Sequence, residues 1–193
     1  MFKTIRNYTY RTAFIVVDVQ NDFLQDGALE IKNSNEIIPI INQIRAYLSS
    51  NVKAITIFTK DYKNNSNNNS VQDTLGAEFH PHLYYKSTDR IFFKGRKHDS
   101  YSGFGSANMK DENTGLLTYL RSKWVYRVVI VGLATDHCVI ATAIHAIENG
   151  FRVFVILSAC CGVSYDTSML AIAKMTGRGV IVLKDLDELK MHM

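Results

Sequence analysis

The sequence is short of proline and cysteine and has no long hydrophobic run, and each shortage excludes a class of protein. Two prolines, Pro39 and Pro81, in 193 residues leave no Pro-rich linker between separate domains. The three cysteines, Cys138, Cys160 and Cys161, are an odd number without framework spacing. Adjacent Cys160 and Cys161 are poorly placed to bridge each other, and no C-x-x-C pair offers a zinc site. A reducing, cytoplasmic compartment is the expectation. The apolar run Ala13 to Val17 is far too short for a signal core or a membrane span, so no membrane partner is expected. The formal charge of +4 is modest. Its local basic cluster, Lys86, Arg90, Lys94, Arg96 and Lys97, lacks the aromatic interleaving of RNA-binding motifs, and no nucleic-acid partner is expected.

What is present is an ordinary globular composition, 47% apolar and 21% charged. A chain of this length folds as one domain, residues 1–193, that buries roughly 70% of its unfolded surface. Residues 1–11 read as an N-terminal arm, and the Asn-rich tract 62–74 as an exposed loop. Thr12 to Asp18 and Val52 to Thr59 are continuous apolar runs of the kind buried on both faces of a parallel sheet. Further strands are expected at Arg90 to Phe93, Tyr126 to Val131, Arg152 to Leu157 and Gly179 to Leu183. Helical periodicity marks Ser34 to Ser49, where Ile37, Ile40, Ile41, Ile44 and Leu48 share a face. It recurs around Thr114 to Ser122, from Val139 to Asn149 and near Tyr165 to Met175. Alternating strands and helices predict an α/β fold with a parallel sheet covered on both sides, which binds ligands beyond the carboxyl ends of its strands.

Asp18, Lys94 and Cys138 each lie at or just after such an end. With Thr135 or Asp136 as N-cap, Cys138 falls in the first turn of its helix. Unpaired N–H groups there would draw a thiol from about 8.5 towards ~3.5–7.5. Taken singly, each has an ordinary reading: a buried structural cysteine, a turn carboxylate, a solvated lysine. Taken together, they supply a nucleophile, a base and a charge partner. Asp18 can accept the thiol proton, Lys94 can hold Asp18, and the amides of Ala134 and Cys138 can receive an oxyanion. Hydrolysis of a small amide is within reach of this set. His137 adjoins the nucleophile but points elsewhere on the helix, and it reads as a packing or hydrogen-bonding residue.

Five stretches together resemble the isochorismatase-like cysteine hydrolases, most of all the nicotinamidases among them. They are Asp18-x-Gln20-x-Asp22-Phe23, Gly76-Ala77-Glu78-Phe79-His80-Pro81, Lys94-Gly95, Asp99-Ser100-Tyr101-Ser102-Gly103-Phe104, and Gly132-Leu133-Ala134-Thr135-Asp136-His137-Cys138-Val139. The resemblance runs from about residue 12 to residue 183. It implies a three-layer α/β/α sandwich with a six-stranded, mainly parallel sheet, the triad Asp18, Lys94 and Cys138, and a cis peptide at Leu133–Ala134. It implies hydrolysis of nicotinamide to nicotinate and ammonia through a Cys138 thioester, with Phe23 and Tyr101 around the ring. No organic cofactor is implied, and a homo-oligomer is compatible with the sequence. A divalent ion, usually zinc, is implied on an Asp-x-His and a later His. Here Asp61 stands at the acid position, Lys63 at the first histidine and Asn69 near the second. A protonated lysine is not a ligand, and asparagine is a weak one for zinc. His80 and His82 read as structural residues of the following segment. Two alternatives stay open: a metal-independent relative acting on another small amide, carbamoyl or ureido group, and a silent binding protein on the same scaffold.

Overall fold

A computed structural model describes residues 11–62, 74–95, 100–105 and 114–193. The N-terminal arm up to residue 10, and Lys63 and Asn69 of the Asn-rich loop, lie outside them. The strands are β1 Arg11–Val17, β2 Ile55–Asp61, β3 Arg90–Lys94, β4 Val125–Leu133, β5 Arg152–Cys161 and β6 Ile181–Leu183. They form one parallel sheet in the order β3-β2-β1-β4-β5-β6. The helices are α1 Ile37–Tyr47, α2 Leu116–Ser122, α3 Ile140–Glu148, α4 Tyr165–Gly177 and α5 Leu186–His192.

The period-2 geometry of a strand sends successive side chains to opposite faces, and β1 feeds both layers. Phe14 and Val16 join one cluster with Ile37, Ile41 and Ile44 of α1 and Leu186 and Leu189 of α5. Ala13, Ile15 and Val17 join the other, with Leu116 and Leu120 of α2, Val139, Ala143 of α3 and Met175 of α4. Each fully buried Leu, Ile or Phe contributes roughly 1.5–3 kcal/mol by leaving water, so the uninterrupted apolar runs of β1 and β4 anchor the molecule.

β1 and β4 are neighbours, but their crossovers leave in opposite directions, α1 to one face and α3 to the other. Such a reversal opens a crevice at the carboxyl ends of the two strands. Asp18 follows β1 there, and the Cys138 turn follows β4.

β2 starts three residues later than expected, at Ile55, because Val52 closes a helical turn from Leu48, and two elements differ more. β5 runs four residues further, through Ser158 to Cys161, because after a register shift Cys160 and Cys161 pair with Gly132 and Leu133. α5 was not expected; it rests on two apolar residues, Leu186 and Leu189, too few to register as a period. Asp185 caps it, its Oδ1 accepting from the amides of Asp187 and Glu188 at 3.0 and 3.1 Å. Among the described residues, no helix is long and apolar enough to cross a membrane.

Candidate active site

Asp18 ends β1 with φ 49°, a left-handed conformation that is costly for a non-glycine residue and turns the chain out of the sheet. Its side chain is buried. The Thr59 hydroxyl donates to Oδ1 at 2.7 Å, and Lys94 Nζ lies 2.8 Å from Oδ2. Parallel pairing sets this geometry, since Thr59 stands opposite Val17 on β2, and Lys94 opposite Asp61 on β3. Lys94 is as deeply buried as Asp18. It also approaches Cys138 Sγ at 3.3 Å and Asp61 Oδ1 at 3.6 Å. Burial alone would lower the Lys94 ammonium. Asp18, with Cys138 and Asp61, more than reverses this and holds it well above its ordinary value.

Cys138 lies in a wide turn, Thr135–Val139, that leads into α3. The Ala134 carbonyl accepts from the amides of both His137 and Val139 at 3.0 Å, and the Leu133–Ala134 peptide bond is cis. The expected cap is absent, because Ala134 occupies that position without a side-chain bond. The Asp136 carboxylate turns instead to the far side and accepts from the Val163 amide at 3.1 Å and from the Thr167 hydroxyl. The expected low-lying thiolate is also corrected. Burial pushes the Cys138 thiol up, Lys94 draws it down, and Asp18 and Asp61 push it up again, leaving it well above its ordinary range.

A cavity of about 590 Å³ opens over these atoms. Asp18, Asp61, Ala134 and Cys138 line it, as do Phe23 and Tyr101. Ile31, Leu133, His137 and Glu30 add to the walls, and of these the sequence singles out His137 alone as a side chain, as a packing or hydrogen-bonding residue. Thr59, too, carried no signal of its own; only strand register discloses it. Gln20 is fully buried and braces the region. Its amide group donates to the carbonyls of Asp61 and Ala77 at 3.0 and 3.1 Å, and its Oε1 accepts from the Asp61 amide at 2.7 Å.

Among the described residues, the side chains around Asp61 do not fit the implied metal ion. Asp61 faces an ammonium at 3.6 Å, and no histidine lies between Asp61 and His80 in the sequence. Among the described residues no three His, Cys, Asp or Glu side chains cluster as a metal site. His80 and His82 are engaged with each other, the His82 amide donating to His80 Nδ1 at 3.1 Å, and His80 borders a separate hollow with Asn21, Asp22 and Gly76.

Comparison with known proteins places these features in a family. The model of the isochorismatase domain matches residues 12–185. The nicotinamidase/pyrazinamidase of Mycobacterium tuberculosis is 37% identical over 84% of this chain and 93% of its own length. The crystal structure of the pyrazinamidase of Pyrococcus horikoshii in complex with zinc superposes with a TM-score of 0.79 at 32% identity, covering 90% of this chain and 99% of that one. That of PnC1 from L. infantum in complex with nicotinate gives 0.81 at 29% identity, covering 91% and 93%.

Proposed function

The chain belongs to the isochorismatase family, and on that premise we propose that it is a nicotinamidase, converting nicotinamide to nicotinate and ammonia through a thioester on Cys138. One observation carries the reading: Asp18, Lys94 and Cys138, from three separate strand ends, meet where Asp18 and Cys138 line a cavity large enough for a small aromatic amide. The names of the relatives support the same substrate.

In this mechanism Asp18 Oδ2 takes the proton of Cys138 as Sγ attacks the carboxamide carbon. The Ala134 and Cys138 amides receive the developing oxyanion. Thr59 and Lys94 fix the carboxylate, and the Lys94 charge offsets the negative charge passed to sulfur. The C–N bond breaks as Asp18 returns the proton to the leaving ammonia, and a nicotinoyl thioester remains. Water then attacks the thioester carbon, with Asp18 taking its proton, and the C–S bond breaks to release nicotinate and restore the thiol. Phe23 and Tyr101 flank the ring. No step is routed through a metal ion, because the described residues around Asp61 do not supply its ligands. We place the enzyme in the cytoplasm on its cysteine usage, as a single domain acting on a small molecule.

A metal-independent relative for another small amide, carbamoyl or ureido substrate is the second reading, favoured by Lys63 and Asn69 at the histidine positions. Ammonia release separates the two. Nicotinamide should yield ammonia with the wild type in the presence of chelator and none with Cys138→Ala. Folded protein that releases none, even with added zinc or manganese, would overturn the proposal, and turnover of a ureido substrate instead would establish the second reading.

A further inference from the structure

The two ends of the parallel sheet carry opposite charge. Asp18, Asp22, Asp26, Glu30, Asp61 and Asp136 all lie at or beyond the carboxyl ends of β1, β2 and β4, around the catalytic crevice. At the amino ends, Arg11 opens β1 and Arg152 opens β5. Arg127 stands between them on β4, paired with Thr12 on one side and Arg152 on the other. Neighbouring strands are about 4.8 Å apart, so these three arginines leave the backbone within roughly 10 Å of one another. Lys53 precedes β2, and Arg121 and Lys123 lie at the end of α2, just before β4. Among the described residues, none of these cations lies within ion-pair distance of a carboxylate, whereas Glu148 at the end of α3 is taken by Arg178. Burial lowers the Arg127 guanidinium from its ordinary value, and the Arg152 charge lowers it further. Like charges are held side by side here.

Two aromatic side chains stand among these cations. Trp124 is 74% exposed and Tyr126 46%, on either side of Val125, which is buried. Trp124 also has φ 56°, a left-handed conformation that is costly for a bulky residue and that glycine takes freely. Core packing does not account for an indole kept mostly in solvent on such a backbone. The stretch Arg121-Ser122-Lys123-Trp124-Val125-Tyr126-Arg127 therefore interleaves cations with aromatics, which the basic cluster at residues 86–97 does not.

Guanidinium forks grip phosphate oxygens in pairs, and aromatic faces stack on bases that are not already stacked in a duplex. We propose, against the expectation from the sequence of no nucleic-acid partner, that the amino-terminal edge of the sheet binds single-stranded nucleic acid. Its phosphates would run along Lys53, Arg11, Arg127 and Arg152, with a base on Trp124. An anionic membrane fits less well, because insertion needs several apolar side chains together. The acids around the crevice repel the same polyanion, so it docks away from Cys138 and leaves turnover unchanged. The proposal is independent of the amidase reading.

Trp124 is the only tryptophan in the chain, so its fluorescence reports this edge alone. An unstructured RNA of about 20 nucleotides should quench it saturably, with Kd about 1–100 μM at physiological salt. With four to six phosphates held, log K should fall against log salt with a slope of about −3 to −4. Anisotropy of the labelled RNA reads the variants. Arg121→Gln combined with Arg152→Gln should weaken binding about tenfold and make the slope shallower by about 1.4. Trp124→Gly should keep the melting temperature and weaken binding about tenfold at an unchanged slope, since stacking carries no charge. If the glycine variant does not fold, the slope of the arginine variant decides. Ammonia release from nicotinamide should match the wild type in both. No saturable quenching, a slope unchanged in the arginine variant, or a duplex of the same sequence bound equally well would each overturn the proposal. Quenching by phosphatidylserine vesicles and not by RNA would overturn it in favour of a membrane.

Discussion

At the scale of single residues, the chemistry turns on where the proton of Cys138 resides. A helix N-terminus stabilises a negative charge by about 0.3–1 kcal/mol, rarely 2. Full burial can move an ionisable group by three to five pKa units, roughly 4–7 kcal/mol. Burial wins here, so Asp18 must receive the proton for sulfur to react. Replacing Asp18 with Asn should slow iodoacetamide modification of Cys138 at neutral pH by about tenfold or more. Cys160, pushed up to about 12 by burial, should stay unmodified in both proteins. Peptide mass mapping over time reads both, and equal Cys138 rates would show that Asp18 is not the base. Asp136 offers a second residue-scale test. Its carboxyl lies below the unfolded value of 3.8 when the chain is folded, so its contribution is complete above that pH and fades as pH falls through the folded value. Asp136→Asn should therefore lower stability at pH 7 by about 1–3 kcal/mol, with the gap from wild type closing below about pH 4. Urea titrations at the two pH values measure it. At this scale the sequence disclosed the residues whose position alone suggests chemistry: an acid, a lysine and a thiol at strand ends. It could not disclose Thr59 or the far-side role of Asp136, because both are defined by partners 41 and 31 residues away.

At the scale of elements, the continuous apolar runs of β1, β2 and β4 were legible because burial on both faces leaves little room for polar residues. Elements that lean on others were not. α5 depends on its Asp185 cap and on docking through two leucines, and the far end of β5 depends on pairing with Gly132 and Leu133. Gly132 shows how tightly the elements fit where β4 approaches β1. Its φ is +116°, and a Cβ there would stand 2.2 Å from the Val17 carbonyl oxygen, one residue before Asp18. The strand backbone cannot yield at that point without moving Asp18 from Cys138. Gly132→Ala should cost about 3 kcal/mol or more, or leave the protein insoluble. Any folded fraction should have lost most of its turnover; a variant of unchanged melting temperature and activity would contradict this packing.

At the scale of the whole molecule, the crossover reversal between β1 and β4 brings residues 18, 94 and 138 to one crevice, and the fold leaves the ring end of that crevice to side chains around it. Purified protein should carry well under one equivalent of zinc. Prolonged chelation should leave both melting temperature and ammonia release from nicotinamide unchanged, whereas a bound ion would add RT ln(1 + [L]/Kd) to stability, about 2.7 kcal/mol at a hundredfold excess over Kd. Catalysis itself is covalent. Rapid acid quenching during turnover of nicotinamide, followed by intact-mass and peptide analysis, should find one nicotinoyl group per chain, on Cys138, and none in Cys138→Ser. Steady ammonia release from Cys138→Ser, or an acyl group mapped to any other residue, would contradict the account.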